Sequence, residues 1–366
     1  MVTLYEYAES IYERLEFDND LDSVARQFIH EISFEELFKD DGMCLKFIQV
    51  VLKFSGPVVR NKDRASHIVI TWLLGVGFGE HMHINQFPGV EDTLQMSLWL
   101  QTSLLHDFGY FCKELGQKDL RRKDIVGDYD LLEDEYNNQS LSCINNIRLS
   151  TSFKQYFTYS PDEINNYFTY SVYYHKDEEE RRGIERADHG IIGGCIGFKR
   201  YCERLKQDEQ PFENKKILQM QKIACYVTAS HNIFKSASSK SDVLYIKFGL
   251  DGLLSSSPIR VTTANMLLLL LSLVDTIECT KRFSAKVNGN INYLQQSTTL
   301  KYVSVEEQPE GIGLDFSGLY NYATKKRKNK EMAEKVINHV NAIEGLSTWT
   351  TFQTQRDSKL TIKVTI

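Results

Sequence analysis

Five places in the chain offer side chains that bind metal ions, each within or at the end of an apolar segment: His67, the adjacent His106 and Asp107, His189, His231 and Asp275. Imidazole nitrogens and carboxylate oxygens are the donors that Mn, Fe, Co, Ni and Zn accept, and a mixed set without thiolate suits a catalytic ion with open coordination positions. Four His and two Asp are enough for two ions. His67 opens HIVITWLLG, where Ile68, Ile70, Trp72, Leu73 and Leu74 leave few exposed faces, so the imidazole is expected to point inward. His106 and Asp107 close a helical pattern carrying Leu94, Leu98 and Leu105, and Phe108 and Gly109 then turn the chain, which aims both donors at one point. His231 shares a helical stripe with Ala224, Val227 and Phe234. Asp275 follows Leu268 and Leu271 on the stripe of an aliphatic helix, where an unpaired carboxylate would cost on the order of several kcal/mol of desolvation. A cation removes that cost.

His189 lies in ERADHGIIGGCIGFKRY, where Gly190, Gly193, Gly194 and Gly197 each cost about 1 kcal/mol relative to Ala in a helix interior. Missing Cβ atoms there allow the close approach either of a neighbouring helix or of a phosphate. Glu185, Arg186 and Asp188 flank this histidine and read either as salt-bridged surface groups or as groups that orient a ligand and contact phosphate; Arg186 is the candidate for the latter role. The remaining histidines are expected elsewhere. His81 and His83 form an HxH in a Gly-rich stretch and read as solvated loop residues, His175 precedes the charged KDEEERR, and His30 and His339 lie on amphipathic helices.

The ordered set H…HD…H…H…D, made by His67, His106, Asp107, His189, His231 and Asp275, resembles the HD superfamily of metal-dependent phosphohydrolases over roughly residues 60 to 285. The resemblance implies a mostly α, HD-type helical bundle in which His67, His106 and Asp275 hold one ion, His189 and His231 hold a second, and Asp107 bridges them. The two extra histidines are similar to the two-metal branches, which include cyclic-dinucleotide phosphodiesterases and CRISPR-associated nucleases. Tyr110 stands in HDFGY where many members carry Lys, and neither a GYP signature nor a helicase motif is present, so the likeness is to the superfamily and not to either branch. The implied chemistry is hydrolysis of a nucleotide phosphoester or phosphoanhydride by metal-activated water, with Asp107, His189 and Arg186 as the catalytic group. Mn, Fe, Co, Ni or Zn is the expected ion, with Mg admitted, and a deoxynucleoside triphosphate or cyclic nucleotide the expected substrate. A metal-dependent single-strand nuclease and a non-catalytic metal-caged sensor are the alternatives.

Helices must position these donors. Leu4, Tyr7, Ile11 and Leu15, then Phe34, Leu37, Cys44, Ile48 and Val51, predict helices over residues 1–60. Helical segments continue over residues 61–290, broken at NQFPG, KDEEERRG and KQDEQPFEN, and the glycines of GVGFGEHMHINQFPG are expected to end one helix before Asp92 caps the next. Over residues 291–366 the texture changes: TLKYVSVEE and KLTIKVTI alternate in the strand period around a helix from about Lys326 to Ile343. That predicts a small C-terminal α+β appendage. The one strong basic cluster, KKRKNK at 325–330, reads as the exposed start of a helix.

Composition narrows the rest. The 366 residues are 42% hydrophobic and 25% charged with 6 Pro, which excludes disordered and collagen-like classes. A net charge of −6 disfavours duplex DNA and favours a small nucleotide over a long polyanion. Seven Cys without a CxxC pair argue against a disulfide framework or a zinc knuckle and predict a reducing, cytoplasmic setting. MVTLYEYAES lacks the character of a signal peptide. The longest apolar run, Ala264 to Val274, falls well short of the ~20 residues that cross a bilayer, so no membrane partner is expected.

Overall fold

The chain enters its first helix through a capping box. The backbone N–H of Glu6 donates to the Thr3 hydroxyl at 3.1 Å, and the backbone N–H of Thr3 donates back to the Glu6 carboxylate at 2.8 Å. Helix α1 (Leu4–Arg14) follows, with Leu4, Tyr7, Ala8 and Ile11 buried on one stripe as the helical spacing predicts. The computed structural model describes residues 1–15, 65–84, 86–87, 92–107, 189–190, 193–194, 223–232, 246–247, 249, 263–279, 286–287, 290–291, 299–309, 311–325, 330–353 and 361–366. Helices predominate among them.

Three further helices build the centre: α2 (Ala65–His81), α3 (Asp92–Leu105) and α4 (Thr263–Ile277). Helix α2 packs against α1, α3 and α4. Ile68, Val69, Ile70, Trp72, Leu73 and Leu74 are all buried, as are Leu267 to Leu271, Leu273 and Val274 of α4. Helices apolar around their whole circumference must be enclosed by neighbours. This makes α2 and α4 the rigid axis of the helical body.

The glycines of α2 do not end it, contrary to the sequence expectation: the helix runs through Gly75, Gly77 and Gly79 to His81. A Cβ at Gly75 would stand 1.8 Å from Cζ2 of Trp99 on α3, and one at Gly77 would stand 2.7 Å from Cδ1 of Ile11 on α1. Their propensity cost of about 1 kcal/mol each is offset by letting two helices approach the α2 backbone. The Trp99 indole N–H fixes the contact by donating to the Trp72 carbonyl at 2.9 Å. His83, with φ 53°, then turns the chain.

The C-terminal residues form the expected α+β unit, with an addition. Strands β1 (Val2–Thr3), β4 (Ser304–Gln308), β5 (Gly311–Asp315) and β6 (Thr361–Thr365) make one sheet in the order β1-β4-β5-β6; β2 (Lys286–Val287) and β3 (Asn290–Ile291) form a separate hairpin. The pair β1·β4 is antiparallel, β4·β5 is antiparallel and β5·β6 is parallel. Val2 lies opposite Val305, and the Leu4 N–H donates to the Val303 carbonyl at 2.7 Å, so the N-terminus belongs to this sheet. Helices α5 (Ser317–Lys325) and α6 (Lys330–Gln353) stand where one helix was expected. Helix α6 packs on β6 and on α4, which joins the sheet to the helical body.

One histidine differs from its sequence reading. His81 is the half-buried last residue of α2 rather than a loop residue, and its Nε2 donates to the carbonyls of Gln308 and Gly311 at 2.9 and 3.0 Å. It ties α2 to the β4–β5 hairpin. His339 lies on a helix, α6, as expected, and is buried edge-on to Phe316, with ring centroids 5.4 Å apart. His83 is exposed as expected. Among the described residues, no helix is long and apolar enough to cross a membrane.

The contact between Gly75 and Trp99 sets an expectation. Gly75→Ala forces overpacking and should lower stability by about 1–3 kcal/mol, read as a lower urea midpoint at unchanged slope. A midpoint equal to that of the wild type would mean that the indole does not lie against this glycine.

Candidate metal centre

Five of the six donors stand at or near the end of a described helical segment. His67 is the third residue of α2, His106 and Asp107 form the turn after α3, and Asp275 lies near the end of α4. His231 turns out of a helical segment over residues 223–230, and His189 lies in a helical pair with Gly190. Helix ends are suited to this purpose, because the chain can turn there and point side chains along the axis instead of radially.

The structure brings all six together. The Nε2 of His67 lies 3.2 Å from Nε2 of His106, 3.1 Å from Oδ1 of Asp275 and 3.5 Å from Oδ2 of Asp107. His106 Nε2 is 3.6 Å from Asp107 Oδ1 and 3.5 Å from Asp275 Oδ1. On the other side, Nε2 of His189 lies 3.4 Å from Asp107 Oδ1 and 3.2 Å from Nε2 of His231. The rings of His106 and His231 meet edge-on at 5.6 Å, linking the two groups. The side chains of His67, His106 and Asp107 are at most 2% exposed, against 10% for His189 and 13% for Asp275. His189 and Asp275 are the more exposed members of the cluster.

Two histidines are oriented by the same local device. The Nδ1 of His106 meets the Ser103 carbonyl, and the Nδ1 of His231 donates to the Thr228 carbonyl at 2.7 Å. A carbonyl only accepts, so Nδ1 carries the hydrogen and a neutral ring presents its Nε2 lone pair to the cluster. Both acceptors sit three residues before the ring, among the carbonyls that a helix C-terminus leaves without intrahelical donors. The Ser272 hydroxyl on α4 donates to the His231 carbonyl at 2.9 Å and holds this turn in place.

The chemistry of the donor set fits a divalent transition metal. One ligand atom each from His67, His106 and Asp107 lies within 4.8 Å of the others, a buried His-His-Asp group that could hold an ion. Burial by itself would raise the Asp275 carboxyl, but hydrogen bonds and charge from His106 and His67 outweigh it and hold the group well below the usual carboxylate range. With Nδ1 of His106 committed to Ser103, its Nε2 reaches that carboxylate only when it carries a proton or when a cation stands between them. A metal ion bound here would compete with protons for the same donors.

The glycines beside His189 are explained by packing. A Cβ at Gly190 would lie 2.5 Å from Cε1 of His231 and 2.6 Å from the Thr228 carbonyl, and one at Gly194 would lie 2.5 Å from the Cys225 carbonyl. Of the two readings of these residues, close approach of a helical segment holds at both positions. Gly197, Arg186 with its neighbours Glu185 and Asp188, and Tyr110 lie outside the described residues.

The sequence reading overlooked two residues. Glu278 is buried, and its carboxylate lies against Nδ1 of His67. The amide of Asn232 lies 3.5 Å from Nε2 of His189. Spacing carried a signal for the first, since Glu278 falls three residues after Asp275 and so one helical turn along the same face. No protein-family model, curated protein or solved structure matches this chain.

Gly190 provides a test of the centre that removes no ligand. Gly190→Ala pushes a methyl group into the His231 imidazole and should weaken Co(II) binding by about tenfold or more, measured by calorimetric titration. Unchanged affinity would separate residues 189–190 from the His231 ring.

Proposed function

We propose that this chain is an HD-type, metal-dependent phosphohydrolase that cleaves a phosphoester or phosphoanhydride of a small nucleotide. The observation that supports the reading is the convergence of all six members of the H…HD…H…H…D series on one largely buried cluster. In this reading His67, His106 and Asp275 hold one ion, and His189 and His231 hold a second. Asp107 suits the shared position because its two oxygens face different histidines, Oδ2 towards His67 and Oδ1 towards His189.

When bound, such ions acidify water near neutral pH and offset charge that develops on phosphoryl oxygens. The protein's own groups orient and screen. His67, His106 and Asp107 form the dry side, where low exposure strengthens their hold on an ion. His189 and Asp275 are the more exposed donors, and in this reading a phosphate approaches from their side. Arg186, three residues before His189 in the chain, is assigned the phosphate contact. The net charge of −6 supports a small nucleotide over a long polyanion. Deoxynucleoside triphosphates and cyclic nucleotides are the substrate classes that follow from the superfamily resemblance.

Asp107→Ala should lose metal and nucleotide hydrolysis together while circular dichroism shows a retained helical fold. Elemental analysis of the wild type should find two ions of Mn, Fe, Co, Ni or Zn per chain after loading. One saturating ion would leave His189 and His231 as substrate contacts, and a variant with full occupancy and unchanged turnover would remove Asp107 from the centre.

The basic run favours a second reading, a single-strand nuclease, because Lys325 ends α5, Lys330 begins α6, and Lys326, Arg327 and Lys328 fall between them. Neutralising Lys325, Lys326, Arg327 and Lys328 together separates the two substrates. Hydrolysis of a small nucleotide should change little, because such a substrate has no strand to lie along a basic run and charges separated by more than about 8 Å are screened at physiological salt. A nuclease would instead lose strand binding, its salt slope flattening by roughly 0.7 for each phosphate contact removed.

A further inference from the structure

His67 is held at both ring nitrogens by carboxylates from one helix end. Asp275 places Oδ1 3.1 Å from Nε2, and Glu278 places Oε2 against Nδ1. Residues three apart share a helix face, and the Glu278 N–H donates to the Val274 carbonyl at 2.9 Å, so the helical turn of α4 continues through Glu278. A neutral imidazole has one N–H and one lone pair, so it can donate to only one of these two carboxylates. The Nε2 side is where His106, Asp107 and Asp275 meet. The Nδ1 side faces Glu278, away from that meeting point.

The position of His67 explains why a side chain is needed there. His106 and His231 stand at helix C-terminal ends, where carbonyls without intrahelical partners accept their Nδ1 hydrogens. His67 stands at the N-terminal end of α2, where the unsatisfied backbone groups of the helix are N–H donors, and among the described residues the Glu278 carboxylate lies against its Nδ1. An acceptor for its Nδ1 hydrogen has to come from another element. The end of α4 supplies one in the buried carboxylate of Glu278.

We propose that Glu278 is a positioning residue of the metal centre: it accepts the Nδ1 hydrogen of His67, fixes that tautomer and the ring plane, and leaves Nε2 as the donor to an ion. This rests on the reading of the cluster as a metal site. Glu278 itself touches neither ion nor substrate. A carboxylate behind the ring also raises the donor strength of Nε2 and adds negative charge beside a dication, as partners behind a metal-binding imidazole generally do.

The test reads the tautomer and the metal separately, on the full chain. Long-range proton–nitrogen NMR of the metal-free wild type should show a hydrogen on Nδ1 of His67. Glu278→Gln should retain it, because the amide oxygen still accepts, whereas Glu278→Leu should lose it. Co(II) affinity should fall by about 10–100-fold in Glu278→Leu and by less in Glu278→Gln. A wild-type His67 whose Nδ1 carries no hydrogen overturns the proposal, as does a Leu variant that keeps both the tautomer and the affinity. Should the Leu variant fail to fold, the wild-type and Gln spectra decide. A wild type that carries the Nδ1 hydrogen but binds no Co(II) overturns the metal reading and the positioning role with it. Expected tautomer and affinity without nucleotide hydrolysis would overturn the reaction alone.

Discussion

The buried carboxylate of Asp107 is the constraint around which the described helices are arranged. An ionised carboxylate taken out of water loses hydration worth several kcal/mol in effective terms, and a medium of low dielectric returns that only through well-placed positive or hydrogen-bearing groups. Asp107 is fully buried, and three imidazoles stand within 3.6 Å of its oxygens: His67, His106 and His189. Asp275 and Glu278 bring two more carboxylates to the same few side chains. Such a concentration of negative charge is tolerated inside a protein when protons on the histidines or a divalent cation balance it. A cation would do so with fixed geometry.

That constraint accounts for the character of the scaffold. Helices α2 and α4 carry apolar residues all round, so neither can rotate or slide to relieve strain at the cluster without opening a packed core. Trp99 on α3 seats its indole on Gly75 and donates to Trp72, fixing the helix whose following turn bears His106 and Asp107. The segment over residues 223–230 meets the backbone at Gly190 and Gly194, which sets His231 against His189. Glycine serves the same end in both places. It lets the backbone that carries one donor approach the element that carries the next.

Much of this was legible in the sequence, and the exceptions share a cause. Each donor sits beside a local apolar pattern, so the order His67, His106, Asp107, His189, His231, Asp275 and the burial of most of these side chains could be read from spacing. Residues Leu4, Tyr7 and Ile11 likewise fall on one buried stripe. What spacing cannot express is a partner distant in the chain. Gly75 reads as a helix stop until Trp99 fills the space of its missing Cβ, and His81 reads as a loop residue until the hairpin carbonyls of Gln308 and Gly311 accept from it. Strand β5, with two glycines in GIGLD, has weak propensity of its own and is held by β4 on one side and β6 on the other. Glu278 acquires meaning only through His67, 211 residues earlier.

Those sequence separations tie the site to the stability of the fold. His67 and His106 are 39 residues apart, His189 and His231 are 42 apart, and the contact of His67 with Glu278 closes a far longer loop. Loop closure costs entropy that grows slowly with length, by about 0.6 kcal/mol per doubling, so the long closure is not much dearer than the short ones once the core has formed. A metal bound only by the folded chain adds to stability through mass action, about 2.7 kcal/mol at a hundredfold excess over its dissociation constant. Without an ion, hydrogen bonds and charge from His106 and His67 hold the Asp275 carboxyl well below its usual range, a contribution to stability that is present at pH values above that range and is lost as pH falls through the lowered value. The sheet that joins residues 2–3 to residues 304–305 contributes to stability whether or not an ion is bound.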